Sequence, residues 1–154
     1  MTRQHVYRLH NVTKDKILYS SNQYEIDLLT GREWKNEGVI YYEPEEATAD
    51  VYRFYIPSED RHFYTALEQE RDTIIGNQDT YSGWQYEGAA FSAYSTKDYP
   101  LDAVAVMRYL NTASSSHVYS TDSQEQALLN QDVNWINEGI AWYVDPIVAM
   151  ESVI

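Results

Sequence analysis

Alternating apolar and polar positions recur three times along the chain, each time in the same order. Each unit begins with a short segment of β-branched and aromatic residues: VYRLH at 6–10, VYRFY at 51–55 and VMRYL at 106–110. After a polar turn comes a second segment of this kind: ILYSS at 17–21, HFYTA at 62–66 and HVYST at 117–121. Two such segments joined by a polar turn are typical of paired strands, so each unit is predicted to open with a β-hairpin.

A helix and a third strand are predicted to complete each unit. Segments 21–31, 66–76 and 121–131 are rich in helix formers and have an acidic first turn. Glycine ends the first two, and the third contains a capping-box pattern, Asp-Ser-Gln-Glu at 122–125. The units close with WKNEGVIYY at 34–42, WQYEGAAFS at 84–92 and WINEGIAWY at 135–143. We interpret these as strands with alternating faces, in which the glycine marks a bulge or a close approach.

The units also match residue by residue. The corresponding sets are Arg8, Arg53 and Arg108; Tyr19, Tyr64 and Tyr119; Glu25, Glu70 and Glu125; Trp34, Trp84 and Trp135; and Glu37, Glu87 and Glu138. A unit of this size cannot bury its apolar face alone, so the units are expected to pack together. The predicted fold is α+β and β-rich: three ββαβ repeats, at about 5–46, 50–95 and 104–146, in a closed pseudo-threefold arrangement within a single domain, 1–154. A β-trefoil-like fold is the alternative, although it lacks a helix in every repeat.

Charge and composition exclude several classes of function. The 24 acidic and 11 basic side chains give a net charge of -13, which repels phosphate backbones and anionic membrane surfaces, so neither nucleic acid nor a membrane is an expected partner. The absence of cysteine excludes disulfides and thiolate zinc sites. No apolar run approaches the roughly 20 residues that span a bilayer. The start of the chain lacks the apolar region of a signal peptide and fits a module from a larger secreted protein.

The repeated charges are predicted to serve the structure. Each arginine lies in an apolar strand, and a guanidinium group suits a half-buried carboxylate. The predicted structural ion pairs join Arg8, Arg53 and Arg108 to Glu37, Glu87 and Glu138. The alternative is a pair of carboxylates for glycoside hydrolysis, which requires two unlike environments around one sugar. Threefold equivalence argues against such a pair, and no nucleophile motif is present, so we expect no enzyme activity.

Histidines and aromatic rings are the candidates for ligand binding. His62 and His117 each precede a tyrosine by two residues on one strand face, whereas the first unit has Ile17, which predicts two competent pockets and a degenerate one. No third histidine lies in register, so no metal and no cofactor are expected. Aromatic rings can stack on sugar faces. The predicted ligand-binding residues are His62, Tyr64, Trp84, Tyr86, His117, Tyr119, Trp135, Tyr19 and Trp34. Packing within the core remains the alternative for both the histidines and the tryptophans.

These motifs resemble a bacterial repeat family, a domain of unknown function that occurs in tandem at the ends of secreted cell-wall hydrolases and other surface proteins. The second unit matches best, through Tyr52, Arg53, His62, Phe63, Tyr64, Thr65, Glu70, Arg71, Trp84, Tyr86, Glu87, Gly88, Ala90 and Phe91. The first unit departs from the pattern at Ile17 and Leu18, and the third at Gln126. The resemblance implies a non-catalytic accessory module that holds an enzyme on a bacterial envelope.

Together these observations predict a carbohydrate or cell-wall binding module that targets an attached enzyme, such as a peptidoglycan hydrolase or a phage endolysin, to the bacterial surface. The expected partner is a cell-wall glycan or polysaccharide. The expected location is extracellular or at the bacterial surface, as part of a larger protein. The alternative is a protein-interaction or oligomerisation module of a surface or phage protein, in which exposed tyrosines form a homo-oligomeric interface.

Overall fold

The computed structural model describes residues 4–147 and consists of three consecutive ββαβ units. The first unit contains β1 (His5–Asn11), β2 (Lys16–Ser20), α1 (Gln23–Thr30) and β3 (Trp34–Tyr42). The second contains β4 (Ala49–Ile56), β5 (Arg61–Thr65), α2 (Glu68–Gly76) and β6 (Gln85–Ala93). The third contains β7 (Val104–Asn111), β8 (His117–Ser120), α3 (Ser123–Gln131) and β9 (Trp135–Val144). The predicted β-rich α+β class is therefore confirmed.

Each unit forms its own three-stranded antiparallel sheet. The first strand of the unit lies in the centre, between the second and third strands, so the strand orders are β2-β1-β3, β5-β4-β6 and β8-β7-β9. In each hairpin the arginine lies directly opposite the tyrosine of the next strand: Arg8 opposite Tyr19, Arg53 opposite Tyr64 and Arg108 opposite Tyr119. The same register therefore sets the same two side chains beside each other three times.

The glycine of each Trp-x-x-Glu-Gly segment forms a β-bulge. In the second unit the pairing passes from Tyr52–Ala89 to Phe54–Tyr86, so Glu87 and Gly88 together oppose Arg53. Gly88 has a φ of +87°, and a Cβ added there would meet nothing within 4 Å, so the glycine is needed for its backbone conformation and not for a close approach. The strict alternation predicted for this strand is interrupted at the bulge.

Replacing Gly88 by alanine is therefore expected to lower the free energy of unfolding by about 1–2 kcal/mol, the cost of a left-handed conformation for a residue with a Cβ. Gly76→Ala is the matched control, because Gly76 is the last residue of α2, lacks a positive φ and is also surrounded by free space. The control should be neutral or slightly stabilising, since alanine restricts the unfolded chain more than glycine does. Urea unfolding of the two variants measures the difference, and equal stabilities would contradict the bulge assignment.

The short helices begin at side-chain caps in the first and third units. Asn22 accepts a hydrogen bond from the Glu25 amide, and Asp122 accepts from the amides of Gln124 and Glu125. The predicted capping box at 122–125 is only half formed, because the Glu125 carboxylate contacts Arg8 instead. Gly31 caps the C-terminus of α1, and α2 ends at Gly76.

The main core lies where the three units meet. Each unit contributes a fully buried valine, at Val6, Val51 and Val106. Each also contributes a large ring from its third strand, at Tyr41, Phe91 and Trp142, with ring centroids 5.8–6.3 Å apart. Two smaller clusters lie under the helices of the first two units and include the half-buried Trp34 and Trp84. In the described part of the chain, the helices are too short and too polar to cross a membrane.

Candidate functional site

Three buried tyrosines join the units through their hydroxyl groups. The Tyr64 hydroxyl donates to the Tyr19 carbonyl oxygen at 2.7 Å and accepts from the Tyr19 amide at 2.8 Å. The Tyr119 hydroxyl likewise donates to the Tyr64 carbonyl oxygen at 3.1 Å and accepts from the Tyr64 amide at 2.8 Å. The Tyr19 hydroxyl accepts from the Tyr119 amide at 3.0 Å. Each phenol hydroxyl therefore forms a hydrogen bond with the backbone of another unit. The contacts form a closed cycle, in which the second unit bonds the first, the third bonds the second and the first bonds the third.

These tyrosines belong to the core, in contrast to the ligand-binding role expected from the sequence. Tyr19, Tyr64 and Tyr119 are at most 1% exposed, and their rings pack edge to face with centroids 5.3–5.6 Å apart. Burial raises the pKa of all three phenols, so they remain neutral donors. A ligand could reach them only by opening the core, and we therefore place them outside the candidate site.

Each repeated arginine binds two glutamates, one from its own unit and one from a helix of another unit. Within the unit, the distances from the arginine Nε are 2.8 Å for Arg8–Glu37, 2.7 Å for Arg53–Glu87 and 2.9 Å for Arg108–Glu138. Between units, the terminal nitrogens lie at 3.0 Å for Arg8–Glu125, 2.9 Å for Arg53–Glu25 and 3.2 Å for Arg108–Glu70. The pairs within units are those that the sequence predicted, whereas the pairs between units link all three units in a cycle.

Sequence reasoning found the helix glutamates but not their partners. Glu25, Glu70 and Glu125 recur in the first turn of each helix, and that recurrence is the signal that could have marked them as ligands of the arginines. Burial raises the pKa of Glu25, but the hydrogen bond and charge of Arg53 outweigh it and leave the pKa below its usual value. The hydrogen bond from His117 lowers the pKa of Glu138, and the charge of Arg108 adds to this effect. The Glu25 and Glu138 carboxylates are therefore ionised at neutral pH.

An imidazole lies beside each of the three arginine clusters. His62 is 3.5 Å from Glu87, and His117 is 3.2 Å from Glu138. Burial, with a further contribution from Arg53, lowers the pKa of His62 to about 4. Burial also lowers the pKa of His117, although Glu138 opposes the shift. Both rings are therefore neutral at pH 7 and are not cations.

The first unit has its imidazole on the neighbouring strand. His10 lies directly opposite Ile17, and its Nδ1 is 3.6 Å from Glu37. In the second unit the same pair of positions holds Tyr55 and His62, so the histidine has changed strand between the two units. Comparing the three repeats position by position finds only residues that recur on the same strand. This comparison therefore predicted a degenerate first unit and missed His10.

The tryptophans that begin the third segment of each unit are half-buried. Trp84 packs against Phe63 and Tyr81, with ring centroids at 5.6 and 5.0 Å, and the Arg61 guanidinium lies 5.6 Å from its ring. Trp34 packs against the small core cluster under α1. Tyr86 remains 44% exposed, which makes it the most accessible of the predicted ligand-binding tyrosines.

Three surface grooves lie away from these residues. The first groove, of about 400 Å³, is lined by Ala47, Thr48, Ala49, Asp50, Tyr52, Ala66, Glu68 and Ser95. The second groove, of about 260 Å³, is lined by Ile40, Tyr41, Val104, Thr121, Val144, Asp145, Pro146 and Ile147. The third groove, of about 320 Å³, is lined by Glu45, Glu46, Tyr94 and Asp145. None of the nine predicted ligand-binding residues lines any of these three grooves.

The first groove combines an aromatic wall with polar groups. Asp50 and Glu68 form no ion pair and accept no hydrogen bond within residues 4–147. Burial raises the pKa of the Tyr52 phenol, and the two carboxylates contribute to the increase while Arg71 opposes it. Sequence reasoning missed Asp50 because it searched for residues that recur, and the equivalent positions of the first and third units hold His5 and Ala105. Across residues 4–147, no group of three histidine or acidic side chains is arranged to hold a metal ion.

No curated protein and no solved structure matches the chain. The model of a domain of unknown function, DUF5648, matches residues 5–145, which include every strand and helix described above. The chain therefore belongs to the DUF5648 family.

Proposed function

We propose that this chain is a non-catalytic module that binds a cell-wall glycan or another carbohydrate and holds an attached enzyme at the bacterial surface. A peptidoglycan hydrolase or a phage endolysin is the kind of enzyme that such a module would serve. The observation that carries the proposal is the first groove, in which a tyrosine ring, two hydroxyl side chains and two unpaired carboxylates converge.

The size and chemistry of the first groove suit a sugar. Its volume of about 400 Å³ lies at the low end of the range for ligand pockets. Tyr52 supplies an aromatic edge, while Asp50 and Glu68 can accept hydrogen bonds from sugar hydroxyls. The Thr48 hydroxyl already accepts a hydrogen bond from the Ser95 amide and donates one to the Asp98 carbonyl oxygen, which holds the rim of the groove together.

The electrostatics of the repeated clusters support a non-catalytic role. A glycosidase needs one carboxyl group with a raised pKa beside a carboxylate of different environment. The shifts at Glu25 and Glu138 go the other way, because arginine and histidine partners lower both pKa values. The same arrangement of arginine and two glutamates also occurs in all three units, as expected for a structural element.

We further propose that the three units are related by a pseudo-threefold axis through the tyrosine cluster. The cyclic tyrosine and arginine contacts support this arrangement, since each unit makes the same contact with another. The second groove also supports it, because Val104, Thr121 and Pro146 are the repeat equivalents of Ala49, Ala66 and Ser95 in the first. Two grooves on one scaffold would raise avidity for a repetitive polymer. Superposition of the units in an experimental structure tests the symmetry.

Filling the first groove tests the binding function. Ala47 lines the groove and is exposed, so Ala47→Trp should block the groove without disturbing the core. Ala113→Trp is the matched control, because Ala113 is exposed in the β7–β8 turn and lines none of the three grooves. Sedimentation with purified bacterial cell walls should show about a tenfold loss of affinity for Ala47→Trp and none for the control. Unchanged binding by both variants would place the site elsewhere, and no binding by the wild type would contradict the function.

A protein-interaction module is the second candidate. Such an interface would use exposed apolar side chains, of which Val133 is 93% exposed, Tyr24 77% and Leu128 70%. Light scattering separates the two functions. A stable homo-oligomer without affinity for any cell-wall preparation would favour assembly over glycan binding.

A further inference from the structure

We propose that the first groove selects glycans that carry a free amine, such as an oligomer of de-N-acetylated hexosamine, over neutral or anionic glycans. This inference rests on the proposed glycan-binding function and specifies its ligand. The determinants are Asp50 and Glu68, the two carboxylates that face the groove beside Tyr52.

The charge of the groove is negative and uncompensated. Asp50 and Glu68 have no ion-pair partner within the part of the chain that the structure describes. Arg71 lies over the Tyr52 ring at 4.5 Å and is paired with Asp72 at 2.8 Å. The ammonium group of an amino sugar would therefore meet two carboxylates and an aromatic edge, whereas a phosphate or uronate would be repelled.

The three grooves described within residues 4–147 offer no alternative site for anions. None of the residues that line the three grooves is a lysine or an arginine. The guanidinium groups of Arg8, Arg53 and Arg108 are held by glutamates in the repeated clusters. The net charge of -13 also attracts cationic ligands at long range. The local carboxylates and the global field therefore favour a cationic ligand together.

Isothermal titration with two tetrasaccharides of equal length tests the selectivity. One is the β-1,4-linked glucosamine tetramer, and the other is its fully N-acetylated form, both at about pH 5.5, where an amine of this kind is protonated. The wild type should bind the amine tetramer about tenfold more tightly at low salt, and the preference should shrink as salt screens the charges. Asp50→Asn/Glu68→Gln should remove the preference but keep affinity for the N-acetylated tetramer.

A matched variant separates the groove from the overall charge. Glu33→Gln/Asp79→Asn removes two exposed acids that line none of the three grooves, and it should keep the preference. Equal affinity for the two tetramers, stronger binding of the N-acetylated form, or failure of the amine tetramer to bind would overturn the inference. If cell walls still bind in those cases, the proposed function survives. If neither cell walls nor any oligomer binds, the proposed function fails as well.

Discussion

Tyr64→Phe is expected to lower the free energy of unfolding by about 2–4 kcal/mol, although it removes a single oxygen atom. The Tyr64 hydroxyl is the hydrogen-bond partner of both the amide and the carbonyl group of Tyr19, in a part of the core that water does not reach. Phenylalanine keeps the ring packing but leaves two buried backbone groups unpaired, each of which carries its full desolvation cost. Urea unfolding followed by tryptophan fluorescence measures the change.

Tyr86→Phe is the matched control for this variant. Tyr86 is 44% exposed, and its hydroxyl makes no hydrogen bond within residues 4–147. Losing this oxygen should change the stability by no more than about 0.5 kcal/mol. If Tyr64→Phe were as stable as the control, the hydroxyl groups would not join the units as described, and side-chain packing alone would hold them.

Arg53→Met is expected to lower the free energy of unfolding by about 2 kcal/mol at pH 7, between the values typical of exposed and of fully buried ion pairs. The substitution keeps the aliphatic stem but leaves Glu25 and Glu87 without their cation. This intermediate cost follows from partial burial of the side chains, since Arg53 is 15% exposed, Glu25 26% and Glu87 31%. Lys14→Met removes a pair with Asp60 in which both side chains are more than half exposed, and it should cost less than about 0.5 kcal/mol.

The cost of Arg53→Met should depend on pH. Arg53 lowers the folded-state pKa of Glu25. Its stabilising effect is therefore complete above the pKa of an unfolded glutamate, about 4.5, and is lost as the pH falls through the lower pKa of the folded state. The wild type and Arg53→Met should therefore approach equal stability in acid, because protonated glutamates no longer need the guanidinium group. Unfolding curves at pH 7 and at about pH 3 test this, and a cost that stays constant with pH would contradict the ion-pair explanation.

The strands, helices and bulges could be predicted from local patterns. The third strand of the first unit was predicted at 34–42 and is observed there, and α3 was predicted at 121–131 and spans Ser123–Gln131. The pairs between the arginines and the glutamates of the same unit were also predictable, because these residues are neighbours within one small sheet. In each case the determining interactions lie within one repeat, and the repetition shows the same signal three times.

The contacts between units could not be predicted in this way. Arg8 and Glu125 are 117 residues apart, and Tyr19 and Tyr119 are 100 residues apart, so no local period relates their positions. The strand change of His10 and the unpaired carboxylates of the first groove each lie within one unit, but a comparison of repeats does not reveal them, because the other units carry different residues at these positions. The repeated sequence thus determined the form of each building unit, whereas the hydrogen bonds of the buried tyrosines and the cyclic ion pairs arose only when the units packed, since their partners belong to different units.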